Sequence, residues 1–201
     1  MNFLAHAYLS FNHAGILAGN MISDFVKGKT KFNYSTHIQK GIALHRMIDE
    51  FTDKHAATLQ AGKPLKPLVG LYSGAFVDIL YDHFLSLDKN EFKDENVLMN
   101  FTQHTYRLLQ PYQNIFPEKF KIMFPYMQQQ NWLYNYQFHS GIKNSFNGLV
   151  RRAKYLTDSS DAFKIFENNY DDFKNCYEEF FPSVKKFAQI KLAELLAEYD
   201  M

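Results

Sequence analysis

The chain has 201 residues, 46% of them apolar and 21% charged, a length and composition that fit a globular protein and exclude a disordered one. A net charge of +1 argues against a general nucleic-acid binder, which needs a strongly basic face. No apolar run reaches the ~18 residues of a membrane span, and the single cysteine, Cys176, excludes an internal disulfide and a thiolate zinc site.

The length suits one domain over residues 1–201. The start, Met1-Asn2-Phe3-Leu4-Ala5-His6, has no basic n-region or cleavage site, so a soluble, cytoplasmic protein is expected. The 20 Phe and 13 Tyr predict a bulky aromatic core, a surface for partners, or both.

Residues 2–10 form a short apolar segment, helix or strand, with His6 in its middle. From Gly15 to Val26, the apolar residues Ile16, Leu17, Met21, Ile22, Phe25 and Val26 recur at helical spacing. Gly28 is a candidate C-cap for that helix. Ser35 is a candidate N-cap for a helix from Thr36 to about Lys54. Gly62, Pro64 and Pro67 mark a loop. A central, nearly all-apolar helix is expected from Pro67 to Leu87. Gly70 and Gly74, four apart in it, cost helix propensity, and a closely packed neighbour would offset that. After a turn at Asp88-Lys89-Asn90, residues 94–110 read as an amphipathic helix that stops near Pro111. The segment 111–139 carries Pro111, Pro117 and Pro125 and reads as a kinked helix pair or a lid. Helices near 140–157, 160–181 and 183–199 complete the chain, with Pro182 dividing the last two from an N1 position. No strand pair, fixed repeat or P-loop, GxSxG, GxGxxG or HExxH motif is present. The expected fold class is all-α, a multi-helix bundle around one core.

Three of these helices each bring a polar pair spaced i, i+4: Asn20/Asp24, His45/Asp49 and Asp78/Asp82. Side chains at that spacing share a face, so both members reach a common point. The last pair lies among Phe76, Ile79, Leu80, Phe84 and Leu85, where a carboxylate is costly unless a metal or a cationic side chain compensates it. His83, rotated by about 100° from Asp82, could serve the same point only from its edge. His6 could complete the set. Imidazole with carboxylate suits manganese, iron or zinc and not the all-oxygen shell of calcium. Such a metal lowers the pKa of a water and polarises a phosphoryl oxygen. Each pair also has a structural alternative: an ion pair for His45 and Asp49, a partner such as Arg46 for Asp78, a core hydrogen bond for His83. Cys176 stands among Asp171, Asp172, Glu178 and Glu179, which disfavour a thiolate.

At these residues the chain resembles the acyl carrier protein phosphodiesterase family. The resemblance runs through Asn2-Phe3-Leu4-Ala5-His6, the stretch Gly19 to Gly28, and Gly41-Ile42-Ala43-Leu44-His45-Arg46-Met47-Ile48-Asp49 with Thr52-Asp53. It continues in Asp78-Ile79-Leu80-Tyr81-Asp82-His83-Phe84-Leu85 and, more weakly, in Asn147-Gly148-Leu149 and Phe180-Phe181-Pro182. It implies an HD-domain-like helical bundle, although this chain carries only the reversed pair Asp82-His83. The implied activity is removal of 4′-phosphopantetheine from holo-acyl carrier protein with a divalent metal, manganese first, iron or zinc otherwise. His6, Asp24, His45, Asp78, Asp82 and His83 are then the candidate metal ligands. Asp24, His45, Asp49 and Arg46 are the candidate catalytic residues, with Arg46 or Lys27 neutralising phosphoryl charge. The clusters Lys27/Lys29/Lys31 and Arg151/Arg152 are candidate docking sites for an acidic carrier protein. Two alternatives stay open: an HD-like hydrolase of a free nucleotide or small phosphoester, and a non-catalytic helical binding module.

Overall fold

The computed structural model describes residues 1–197. Within them the chain is all-α, with twelve α-helices and no strand. In order these are α1 (Phe3–Tyr8), α2 (Ala14–Ile22), α3 (Thr36–Lys54), α4 (Ala56–Gly62), α5 (Lys66–Val69) and α6 (Ser73–Leu87). Then come α7 (Glu95–Leu109), α8 (Glu118–Gln129), α9 (Trp132–Asn135), α10 (His139–Arg152), α11 (Ser160–Asn168) and α12 (Tyr170–Ala197). Short 3-10 turns cover Ser23–Phe25, Gly28–Asn33, Gly70–Tyr72 and Gln110–Ile115. No helix among the described residues is long and apolar enough to cross a membrane.

Helix α6 is the axis of the bundle. Ten of its residues from Phe76 to Ser86 are buried, on every side of the helix. A helix apolar all round must be enclosed, and α6 is packed by α1, α4, α10 and α12. Aromatic rings fill the gaps. Tyr81 stacks on Phe180 with centroids 4.9 Å apart, and Phe84 meets Tyr170 edge-on at 5.1 Å. Burying a side chain of this size stabilises by about 1.5–3 kcal/mol. Phe120 of α8 touches both Phe3 of α1 and Phe25 of the Ser23–Phe25 turn, which ties α8 to two segments of the site.

Helices α2 and α3 cross closely at Gly19 and Gly41. A Cβ on Gly19 would lie 2.0 Å from the Ile38 carbonyl oxygen, and one on Gly41 would lie 2.2 Å from that of Ile16. Only hydrogen fits between these backbones. The expected close approach at Gly70 and Gly74 is absent, because a Cβ at either would meet nothing within 4 Å.

Several boundaries differ from expectation. The central helix starts at Ser73 and not at Pro67, because Gly70 takes φ +55° and breaks the run into α5, a 3-10 turn and α6. Helix α2 stops at Ile22, and Gly28, also at φ +55°, follows a 3-10 turn and does not cap the helix. Pro182 does not divide two helices: α12 runs through it from Tyr170 to Ala197. Proline removes one i→i−4 bond, but the carbonyl released is that of exposed Glu178, while Phe180, Phe181 and Val184 around the proline are buried. Burial on both sides holds the helix together. Residues 198 and 199 of the expected last helix lie outside the described residues. Segment 111–139 is a 3-10 turn, α8 with Pro125 inside it, and α9.

Candidate metal centre

His6, His45 and Asp49 converge, with one ligand-type atom of each within 4.8 Å of the others. Helix α3 supplies two of them. His45 and Asp49 sit one turn apart, and Asp49 Oδ2 lies 3.0 Å from His45 Nε2. The other Asp49 oxygen lies 3.1 Å from His6 Nε2. The two imidazoles stack with centroids 3.9 Å apart. Asp24, from the turn after α2, brings Oδ1 to 3.1 Å from His45 Nε2.

Asn20 orients His45. Its backbone oxygen lies 2.8 Å from His45 Nδ1 and its side-chain oxygen 3.2 Å. Both are acceptors, so Nδ1 carries the hydrogen and Nε2 is turned toward the carboxylates. The Asn20 amide donates to the His6 carbonyl and to Ser10 Oγ, both at 3.1 Å, and Ser10 Oγ donates to the same carbonyl. The end of α1 is thereby fastened to α2. His6 Nδ1 is buried without a partner.

A six-residue helix such as α1 is not stable alone, and α6 holds its start. Asp82 accepts from the backbone N–H groups of Asn2 (3.3 Å), Leu4 (2.7 Å) and Ala5 (3.1 Å). These are the unpaired donors of a helix N-terminus, where a carboxylate also meets the positive end of the dipole. One turn earlier, Asp78 lies 2.8 Å from the Met1 ammonium, which also lies 3.5 Å from Asp49. The pair Asp78/Asp82 thus places α1, and α1 places His6.

The electrostatics follow from burial and these partners. Burial opposes the charge on His45, but hydrogen bonds to Asp24 and Asp49 outweigh it and raise its pKa to about 9. Burial, then the neighbouring His45 charge, lowers His6 to about 4. Burial alone would raise Asp49, but the two histidines and the Met1 ammonium hold it far below the usual carboxylate range. The His45 hydrogen bond lowers Asp24, whose side chain is 72% exposed and forms the open side of the centre. Burial raises Asp82 to about 7 against the pull of the Leu4 amide. The Met1 ammonium stands at about 10, because Asp78 and Asp49 overcome its burial.

The remaining predicted residues lie around or away from this point. His83 faces another side of α6: Nδ1 donates to the Tyr136 carbonyl at 2.7 Å, and Nε2 lies 3.1 Å from the Tyr170 hydroxyl. Arg46 is exposed on α3 and donates to the Val26 carbonyl at 3.1 Å, which ties the stretch after Asp24 to α3. Lys27, Lys29 and Lys31 follow Asp24 directly, and the Lys31 ammonium lies 5.0 Å from the centre of the Phe32 ring. Arg151 and Arg152 are exposed at the end of α10. Burial raises the Cys176 thiol, and Glu179 and Asp172 raise it further. Ser10 and the Met1 ammonium carry no spacing signal in the sequence, and the spacing that puts Asn20 on this face does not announce it as the partner of His45.

Comparison with known proteins finds named relatives along nearly the whole chain. The chain is 32% identical to the acyl carrier protein phosphodiesterase of Photorhabdus laumondii, over 95% of this chain and 96% of that one. It is 29% identical to the protein of that name from Klebsiella pneumoniae and 28% to the one from Yersinia enterocolitica, in each case over 95% of this chain and 99% of the relative. No solved structure matches this chain. The family described as acyl carrier protein phosphodiesterase matches residues 1–184, and so the chain belongs to that family.

Proposed function

We propose that this protein hydrolyses the phosphodiester joining 4′-phosphopantetheine to a serine of holo-acyl carrier protein, and that it does so in the cytoplasm with a divalent metal ion. The observation that carries the reading is the convergence of His6, His45 and Asp49 in a chain of this family. The donor set fits an ion. His45 is held at Nδ1 by Asn20 and turns Nε2 toward the centre, as a ligating histidine needs. The same carboxylates that raise its pKa to about 9 mark a point where positive charge is favoured. Two imidazoles with carboxylates suit manganese, iron or zinc, and we assign manganese.

An ion held there would supply a water of lowered pKa and polarise a phosphoryl oxygen. The chain's own groups do the rest. Asp49, whose oxygens lie 3.1 and 3.0 Å from Nε2 of His6 and His45, would share the ion with them. Asp24 stays ionised and is exposed, so it accepts a hydrogen bond from the attacking water on the open side. Water oxygen bonds to phosphorus, the bond from phosphorus to the serine oxygen breaks, and that oxygen takes up a proton. Arg46, next to His45 on α3, and Lys27, three residues after Asp24, carry donors that would stabilise charge on the phosphoryl oxygens. Lys27, Lys29 and Lys31 would meet the acidic carrier protein beside them.

Intact-mass measurement of holo-carrier protein incubated with this protein and manganese tests the proposal. The expected result is loss of the phosphopantetheine mass, about 10–100-fold slower with Asp49→Asn. A holo-carrier mass left unchanged by folded, manganese-loaded protein would refute it.

A further inference from the structure

We propose that the cavity between α1 and α10 is the seat of the pantetheine arm. The inference rests on the function just proposed and names where the non-reacting part of the substrate binds. The cavity has a volume of about 660 Å³, within the usual range for a small-molecule site. Its position links it to the metal centre. Asn2 and Phe3 form one wall. Asn2 adjoins Met1, whose ammonium touches Asp49. Phe3 precedes His6 by one turn of α1, a rise of about 5 Å. A phosphoryl group at the centre therefore has this cavity beside it.

The lining has the chemistry of the arm. Pantetheine is neutral and unbranched beyond its hydroxy acid, and carries two amides that each need a donor and an acceptor. Side-chain amides and hydroxyls offer both, and the lining supplies Asn135, Ser140, Asn144, Ser145 and Asn147, with no Asp or Glu. Trp132 and Met123 add apolar surface for the methylenes. The exposed Arg151 and Arg152 sit at its solvent side, where the arm's carrier protein would be acidic. A second cavity, of about 570 Å³ between α3 and α12, is lined by no Asn, Gln or Ser and offers no such match.

Gly148 gives a direct test. It lines the cavity, and a Cβ there meets no atom within 4 Å, so a side chain can start there and Gly148→Leu takes up space in the cavity. Free pantetheine and 4′-phosphopantetheine are titrated calorimetrically into the full chain. Saturable binding to the wild type, weakened at least 10-fold by Gly148→Leu with an unchanged circular dichroism spectrum, is the expected result. Asn144→Asp, at an exposed position, puts a negative charge into a lining that holds no acid and is expected to weaken binding in the same direction, whatever leucine does to folding. Equal binding by wild type and both variants, or no saturable binding to the wild type, would overturn the proposal. Cleavage of holo-carrier protein is read separately. Pantetheine binding that the variants weaken, without cleavage of the carrier, sinks the proposed function and leaves the cavity assigned. Cleavage with binding indifferent to all the variants does the reverse.

Discussion

Replacing Gly41 by alanine tests how the centre is held together. The new Cβ would lie 2.2 Å from the Ile16 carbonyl oxygen and 2.9 Å from the Gly19 Cα. Contacts between carbon atoms settle at about 3.5–4.0 Å, so α2 and α3 must move apart by roughly 1 Å. The obstacles are backbone atoms of a second helix and cannot swing aside as a side chain can. Overpacking of this kind costs about 1–3 kcal/mol, and a backbone obstacle puts Gly41→Ala near the upper end. For a chain of this length, that lowers Tm by about 6–12 °C. Gly148→Ala is the control, because its Cβ meets open space within a helix. It should raise stability by up to about 1 kcal/mol, or about 2–4 °C. Thermal melts followed by circular dichroism read both. The same separation carries His45, one turn beyond Gly41, away from Asn20 and Asp24, so manganese affinity should fall along with Tm. A Gly41→Ala protein that melts within about 1 °C of wild type would refute the close-crossing account.

Manganese binding should release a proton from His45. Its pKa is raised to about 9, so apparent affinity should climb about tenfold per pH unit from neutral pH and level off above that value. Calorimetry in buffers of different ionisation enthalpy counts the proton, and a count of zero would contradict the assignment. Without metal the sign reverses for stability. The contribution of His45 is complete below its ordinary value of 6.5 and is lost as pH rises through about 9, which pH-dependent denaturant titrations would register. His83→Ala leaves the Tyr136 carbonyl unpaired and opens a cavity, so it should cost about 2–4 kcal/mol. It should leave the manganese content of the protein unchanged, whereas His45→Ala should abolish it; equal losses in the two would put His83 at the centre. Reversing Lys27, Lys29 and Lys31 to glutamate should raise KM for holo-carrier protein about 10-fold and flatten the fall of rate with salt. A salt-independent wild-type rate would count against docking there.

Much of the fold was written in local pattern. The all-α class, the limits of α3 and α7, and the enclosed character of α6 all follow from apolar spacing among neighbouring residues, although Ser35 at the start of α3 makes no side-chain cap. The face shared by His45 and Asp49 follows from helix geometry alone. So does the rotation that turned His83 away from Asp82: one residue along α6 took it to Tyr136 and Tyr170. What the sequence could not decide was which compensation each buried acid receives. Asp78 and Asp82 have the spacing and apolar surroundings of ligands, yet one meets the Met1 ammonium and the other meets amides about eighty positions earlier in the chain. Nothing near α6 in sequence announces those partners. The glycines show the same limit. Gly70 and Gly74 had the suggestive spacing, but Gly19 and Gly41, on different helices, make the close crossing. Pro182 reads as a break and is carried through α12 by burial on both sides. Local preference is set by covalent neighbours and is worth about a kcal/mol per residue. The partners of a buried charge and the contact of two backbones are set when distant segments pack, and there the cost of an unpaired group is larger than any local preference.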